Sequence, residues 1–201
     1  MAESVDAADL KSVELCSWGF KSPRPHHTIH EFDTMNNAQS LFDVFETLDI
    51  QSETIKHEAF FSAGAIDEAR LDQWEFPVKN VFLHDKGKQF YLITVRLDTP
   101  SIDLKELAKR VYAQGRFSFA KEEDLADKLR VRPGSVTPYA IIHDKDLCVR
   151  VILDARLKTS ASISAHPLSN DQTTTISTED LKKLYAHTGH EPIWIDIPVK
   201  K

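Results

Sequence analysis

Residues 75–98 constrain the fold most strongly, because two apolar runs flank a short polar turn. Residues 81–83 and 90–95 have the composition of strands, and the residues between them supply turn chemistry. Gly87 in that turn is free to take a positive φ. The stretch therefore predicts a β-hairpin at the centre of the domain.

Two polar residues, Lys79 and Asn80, enter the first strand of this hairpin. Burying such groups without partners costs on the order of several kcal/mol, so their position needs a reason. A lysine that reaches water from the end of a strand is a sufficient structural reason. The hairpin alone therefore does not decide between a structural and a functional Lys79.

The charge distribution is uneven along the chain. The net charge is −6, which argues against nucleic-acid binding by bulk electrostatics. Residues 1–78 carry a net charge of −10, residues 79–132 carry +4, and residues 133–201 are balanced. Solvated faces of amphipathic helices account for most of the positive charge, and a small phosphate-binding surface is the alternative.

The length of 201 residues predicts one domain, residues 36–201, preceded by a flexible extension, residues 1–35. The three histidines of the extension, at positions 26, 27 and 30, lack the partners of a closed zinc set, which favours a loosely packed arm. No apolar run is long enough for a membrane span, and the N-terminus lacks the pattern of a signal peptide. With only two cysteines, we expect a cytoplasmic protein.

Helices and strands are predicted without a regular βαβ alternation, which indicates an α+β domain around a mixed, curved, barrel-like sheet. The predicted helices cover 37–48, a segment through Ala65, Ala69 and Leu71, one capped by Asp103 with Glu106 in a capping box, 122–129, and one from the Ser177 cap to Gly189. The further predicted strands cover 51–61 at a sheet edge, 139–142, 147–153 and 193–197.

A short loop, residues 134–138, has glycine at one end and proline at the other. Such a loop presents backbone N–H groups in a fixed shape, although most loops of this kind are only turns. The chain contains no P-loop, dinucleotide fingerprint, nucleophile elbow or cysteine-based zinc set. Pattern analysis alone therefore stops at an α+β domain with a lysine in its central sheet.

Six strings occur in a characteristic order and together span about residues 37–198: KHEAFFS (56–62), VKNVFLHDKGKQFYL (78–92), DLKELAK (103–109), PGSVTPYAIIHDKDLCVRVILD (133–154), HPLSN (166–170) and TGHEP (188–192). In this order and spacing the sequence resembles the YbaK-type aminoacyl-tRNA deacylases, in the free-standing prolyl-tRNA-editing branch. The resemblance implies the fold of that family.

The resemblance also implies an activity, the hydrolysis of alanine from mischarged proline tRNA. Relatives that clear cysteine usually lack the lysine–asparagine pair, so Lys79 and Asn80 favour alanine. The aminoacyl ester is activated, so the chemistry requires no cofactor, metal or covalent nucleophile. The alternatives are a deacylase for cysteine or another small amino acid, and a non-catalytic module that binds tRNA or a synthetase.

Lys79 and His166 are the catalytic residues that the resemblance implies. It gives the surrounding pocket as Asn80, Gly134, Ser135, Pro138, Asn170, Thr173, Phe61 and Ser62. His57 and His190 also fall in matching strings, and turn or packing roles are favoured for both. Val78 stands where many relatives carry threonine, which removes a hydroxyl from the pocket.

The partners implied are proline tRNA and, as a further candidate, prolyl-tRNA synthetase. A pocket that admits a methyl group and excludes the proline ring would act as the second sieve of an editing pair. Contacts with the tRNA are expected at its aminoacyl end and on the basic central region, so binding should be weak and salt-sensitive.

Overall fold

The computed structural model describes residues 38–59 and 74–200. The helices in these ranges are α1 Ala38–Thr47, α2 Leu104–Arg110, α3 Glu122–Leu129 and α4 Thr178–Thr188, with 3₁₀ helices at Pro138–His143 and Ala155–Thr159. The strands are β1 Ser52–Lys56, β2 Val78–His84, β3 Phe90–Arg96, β4 Ser118–Phe119, β5 Val149–Asp154, β6 Ser162–Ala165, β7 Gln172–Ser177 and β8 Ile193–Ile195.

The predicted hairpin forms the middle of a five-stranded mixed sheet. The strand order is β4-β2-β3-β5-β8, with β2 and β3 antiparallel and β3, β5 and β8 parallel. In the hairpin register Lys79 faces Val95 and Asn80 faces Thr94. The α+β class with a mixed sheet is therefore confirmed.

A second, antiparallel sheet of three strands has the order β1-β7-β6. The two sheets meet where Pro77 forms a parallel bridge with Ser164, whose N–H donates to the Phe76 carbonyl at 3.1 Å. The strands thus form two adjoining sheets rather than one closed barrel. Among the described strands, β1 pairs with β7 alone, so the predicted edge strand is confirmed over Ser52–Lys56.

Apolar side chains cover both faces of the five-stranded sheet. On one face Phe82, Leu92 and Leu153 belong to the larger core cluster, which also contains residues of α1, α3 and α4. On the other face a cluster that includes Ile93 and Val95 packs with the buried residues of α2. Because side chains alternate along a strand, Lys79 and Asn80 point to opposite faces of the sheet.

The predicted strand at 139–142 is wrong, because these residues lie in the 3₁₀ helix Pro138–His143. The Tyr139 N–H donates to the Thr137 hydroxyl at 3.4 Å, and Pro138 begins the first turn, so the local capping chemistry favours a helix. A short apolar run does not distinguish a strand from a buried helical segment. The strand predicted at 147–153 is observed as β5.

Most of the predicted caps are observed. Asp103 accepts from the N–H groups of Lys105 and Glu106, each at 3.0 Å, and Ser177 accepts from that of Asp180 at 2.9 Å. Gly189 ends α4 with a φ of 77°.

Two local details differ from prediction. The capping box at Asp103 does not close, because Glu106 contacts Lys109 and Arg110 while the Asp103 N–H donates to Pro198. In the hairpin turn Lys88, not Gly87, takes the positive φ, at 66°.

Several predictions concern parts of the chain that the structure does not describe. The helix through Ala65, Ala69 and Leu71, the histidines of the extension, and Phe61 and Ser62 lie outside the described residues. The division of the chain after residue 35 stays a prediction. Within 38–59 and 74–200, no helix has the length and apolar content that crossing a bilayer requires.

Candidate active site

Lys79 lies near the start of β2, partly buried beside the turn that follows β3. Its Nζ donates a hydrogen bond to the Thr99 carbonyl oxygen. Burial lowers the pKa of Lys79 from its ordinary value, and the nearby Asp98 carboxylate opposes that shift. The site therefore holds an ammonium group that is partly desolvated, which strengthens its interaction with a negative charge.

A polar network holds the backbone that Lys79 contacts. The Arg156 Nη2 donates to the Thr99 hydroxyl at 2.5 Å and to Asp154 Oδ2 at 2.6 Å. Asp154 is 1% exposed and also accepts from Arg156 Nε. Such paired, charge-assisted hydrogen bonds fix orientation as well as adding stability. The Thr99 carbonyl is thus held in place for Lys79.

Asn80 uses both ends of its side-chain amide within the protein. Its Oδ1 accepts from the Thr94 hydroxyl at 2.8 Å, and its Nδ2 donates to the Val136 carbonyl at 3.1 Å. Asn80 therefore links the central hairpin to the middle of the loop 134–138. The structure brings it to the predicted loop and places it on the face of β2 opposite to that of Lys79.

The loop 134–138 has the fixed shape that its sequence predicts. Gly134 has a φ of 88°, a conformation that favours glycine, and Pro138 begins a 3₁₀ helix. The Ser135 N–H donates to the Arg132 carbonyl at 3.0 Å, and the Ser135 side chain is buried. Among the described residues, the N–H groups of Gly134 and Val136 have no acceptor. These two groups are candidates to bind an oxyanion.

His166 follows β6 and lies beside this loop. Burial, together with His57, lowers the pKa of His166 to about 4, and a backbone hydrogen bond with Gly134 and the Asp171 charge oppose the shift. The imidazole is therefore neutral near pH 7. A neutral imidazole has one N–H donor and one acceptor nitrogen, so His166 can accept a hydrogen bond from water or a hydroxyl.

His57 lies next to His166, with the two ring centroids 6.0 Å apart. Its Nδ1 contacts the Glu58 carbonyl at 2.8 Å, and its Nε2 contacts the Thr173 hydroxyl at 2.9 Å. A carbonyl can only accept, so Nδ1 carries a hydrogen, and in the neutral imidazole Nε2 accepts from the Thr173 hydroxyl. The hydrogen bond to Thr173 therefore links the residue after β1 to β7. The sequence did not predict that His57 lies beside His166, because the two residues are far apart in the chain.

Lys79 and His166 each follow the junction of the two sheets, but the Lys79 side chain lies on the face of β2 opposite Asn80 and the loop 134–138. The bridge between Pro77 and Ser164 lies two residues before Lys79 on one strand and two before His166 on the other. Asn170 lies in the turn between β6 and β7, partly buried, and Thr173 is buried in β7. Within the described ranges no three histidine, cysteine or acidic side chains group as metal ligands.

Val78 and His190, which also belong to the matching strings, contact other residues of the domain. Val78 packs against the larger core cluster, where a threonine would have placed a hydroxyl. His190 contacts Asp144 Oδ2 at 3.1 Å and the Thr188 hydroxyl at 2.9 Å, so its ring is held within the domain. A surface cleft of about 380 Å³ between α4 and β8 contains none of the predicted site residues.

A fall in pH should destabilise the fold through His143 and His166, because both have lowered pKa values. Burial, together with the charges of Arg130 and Lys145, also lowers the pKa of His143 to about 4. Between pH 6.5 and 4 the unfolded chain binds protons that these two imidazoles exclude, so the free energy of unfolding should fall as the pH falls. The slope should reach at most about 1.4 kcal/mol per pH unit for each histidine.

Urea unfolding of a His166→Gln variant at several pH values checks this expectation. The variant should show a shallower dependence on pH than the wild type. Substitution of the exposed His187 by glutamine is the control and should preserve the slope. Equal slopes in all three proteins would contradict a lowered pKa of His166 in the folded state.

The described geometry can be compared with known proteins. The model of the family described as "Aminoacyl-tRNA editing domain" matches residues 57–184. The chain belongs to this family. The prolyl-tRNA editing protein ProX of Acetoanaerobium sticklandii is 30% identical over 157 residues, 78% of this chain and 94% of the relative. The resemblance predicted from the ordered strings is therefore confirmed, and the chain is an aminoacyl-tRNA editing protein.

Other similar proteins agree with this membership. Prolyl-tRNA synthetase associated domain-containing protein 1 of Danio rerio is 32% identical over 157 residues, 77% of this chain and 84% of the relative. A solved structure described as a candidate trans-editing enzyme for prolyl tRNA synthetase has a TM-score of 0.59 at 18% identity, covering 81% of this chain and 97% of its own. At that identity the match shows a shared fold.

Proposed function

We propose that this protein deacylates proline tRNA that has been mischarged with alanine, in trans and without a metal. The observation that carries the proposal is the neutral imidazole of His166 beside Gly134, in the loop that the Asn80 amide also contacts. Family membership and the names of the relatives support the substrate class. The expected site of action is the cytoplasm.

We assign separate roles in ester hydrolysis to the loop 134–138, His166 and Lys79. The N–H groups of Gly134 and Val136 would donate to the oxyanion that forms at the ester carbonyl, as preorganised donors do in acyl transfer. The acceptor nitrogen of His166 would orient the attacking water or the neighbouring ribose hydroxyl. The ammonium of Lys79 would bind the terminal phosphate or offset the developing charge.

The neutral state of His166 matters for this chemistry. With a pKa of about 4 the imidazole is a weak base, so its main contribution near pH 7 is orientation through its acceptor nitrogen. Thr173 and Asn170 would shape the same side of the pocket, and we propose Ser135, Pro138, Phe61 and Ser62 as further parts of its wall.

Selectivity would follow from the size of the pocket. A synthetase site that accommodates proline cannot strongly exclude the smaller alanine, since a small apolar difference contributes only about 1–3 kcal/mol to discrimination. An editing pocket that excludes the pyrrolidine ring therefore spares the correct product. Prolyl-tRNA synthetase is a candidate partner, because some relatives are named as prolyl-tRNA synthetase associated domain-containing proteins.

A deacylation assay with proline tRNA charged with alanine, cysteine or proline tests the proposal. We expect the alanyl ester to be hydrolysed at least about tenfold faster than the cysteinyl ester, as for a difference of about 1.4 kcal/mol in the barrier, with the prolyl ester near the uncatalysed rate. Faster hydrolysis of the cysteinyl ester would reassign the substrate. Binding without hydrolysis of any ester would establish the non-catalytic alternative.

A further inference from the structure

One end of the five-stranded sheet carries a cluster of exposed cations around an exposed tyrosine. We name Lys86, Lys88, Tyr112, Arg116 and Arg150 the hairpin-end patch. The first two lie in the β2–β3 turn, the next two follow α2, and Arg150 lies on β5. Each of the five is exposed.

Short contacts join the segments that carry these residues. The Lys86 N–H donates to the Gln114 carbonyl at 2.9 Å, and the Lys86 side chain lies over Gly115, whose added Cβ would be 3.5 Å from Lys86 Cβ. The Arg150 guanidinium donates to the Val111 carbonyl at 3.4 Å and lies 5.6 Å from the Tyr91 ring centroid. The cations are therefore presented on one connected surface.

The positive charge of the hairpin-end patch is not neutralised locally. Within the described ranges no ion pair joins Lys86, Lys88, Arg116 or Arg150 to a carboxylate. The adjacent Asp85 is 2% exposed, and its oxygens accept from two backbone N–H groups and the Tyr91 hydroxyl. Exposed cations without ion-pair partners can attract an anion locally even though the protein as a whole is acidic.

Tyr112 is the second unusual feature of this surface. It is 91% exposed and has a φ of 55°, a left-handed conformation that costs an L-residue roughly 1–2 kcal/mol. Its N–H donates to the Lys109 carbonyl at 3.2 Å, so the end of α2 holds the strained backbone. An exposed aromatic ring among lysines and arginines is a common combination in nucleic-acid binding, where the ring stacks on a base or sugar.

We propose that the hairpin-end patch binds the sugar–phosphate backbone of the tRNA, at a distance from the aminoacyl end. The inference rests on the proposed function and adds a second contact to it. Lys79 and Lys86 lie near opposite ends of β2, on the order of 20 Å apart at about 3.3 Å per residue. The patch is therefore a separate anchor that affects the binding of a whole tRNA and not the chemistry at its end.

A charge-matched pair of variants tests the proposal. In the first, Lys86, Lys88 and Arg116 are each changed to serine. In the control, the exposed Lys105, Lys182 and Lys200 are changed in the same way. We expect the patch variant to raise KM for charged tRNA about tenfold at unchanged kcat. Its slope of log affinity against log salt should be lower by about 2, since each phosphate contact contributes about 0.7–0.9. The control should change neither quantity.

Two further measurements separate failure of the patch from failure of the proposed function. Hydrolysis of an alanylated CCA trinucleotide should be equal in the wild type and the patch variant, because this substrate cannot reach the patch. Affinity for uncharged proline tRNA, from fluorescence anisotropy, tests the patch even if no ester is hydrolysed. Equal affinity and equal salt slope for the two triple variants would overturn the proposal. A wild-type salt slope in a Lys86→Arg, Lys88→Arg variant, which keeps both charges, would support it.

Discussion

Replacement of Lys79 by alanine should lower kcat for alanyl-tRNA deacylation by about 10²–10³, the effect of removing one preorganised group that stabilises developing charge. The ammonium is partly desolvated and is fixed through Thr99, Arg156 and Asp154, so its position costs little reorganisation during the reaction. Single-turnover kinetics separates the chemical step from tRNA binding.

Loss of the Lys79 ammonium should not destabilise the fold. Burial lowers the pKa of Lys79, so the folded state disfavours the charged form relative to the unfolded chain. Removing the ammonium with Lys79→Met, which keeps the apolar stem, should therefore leave the free energy of unfolding unchanged or slightly higher, within about 1 kcal/mol. Urea unfolding of this variant checks the expectation, and Lys105→Met is a matched control on an exposed lysine.

The pH dependence gives a second test of the role of Lys79. If the ammonium is required, activity is lost as the pH rises through the lowered pKa of this lysine, below the ordinary 10.5. Lys79→Arg keeps the positive charge over this pH range. Whatever its absolute rate, the activity of this variant should therefore not fall as the pH rises. Undiminished activity of Lys79→Ala would exclude the proposed role.

Local signals in the sequence were sufficient for much of the fold. The hairpin follows from two apolar runs and a polar turn, and α4 follows from the Ser177 cap and the Gly189 stop, because these signals involve neighbouring residues. The polar strand β7 was missed because its threonines lack the apolar alternation of a strand. Its register with β1 and β6 supplies the stabilisation that its composition does not reveal.

The candidate site depended more on contacts between distant parts of the chain. The ordered strings gave Lys79, His166 and the loop 134–138, but not how they are arranged. That Asn80 reaches Val136, or that His57 lies beside His166, depends on the junction of two sheets. Lys79 and Asn80 lie on opposite faces because side chains alternate along a strand, and the observed hydrogen bonds show what each side chain contacts.

Asn80→Ala should lower kcat/KM by about 10–10², because misplacement of reacting groups by about 1 Å can cost 10² in rate. The substitution removes the hydrogen bond to the Val136 carbonyl and the acceptor for Thr94, so the loop that carries the candidate oxyanion donors loses its link to the hairpin. A partly buried acceptor and donor are left unpaired, so the free energy of unfolding should also fall by about 1–3 kcal/mol.

Variants of Thr94 distinguish a positioning role of Asn80 from direct contact with substrate. Thr94→Val removes the hydroxyl that holds the Asn80 amide, and Thr94→Ser retains it. If Asn80 acts by placing the loop, Thr94→Val should lower kcat as Asn80→Ala does. Thr94→Ser should keep kcat near that of the wild type, and KM should be nearly constant in both Thr94 variants. If Asn80 instead binds the substrate, Asn80→Ala should raise KM and neither Thr94 variant should affect catalysis. In that case the Asn80 amide would contact the substrate directly and would not act through its hydrogen bond to Val136.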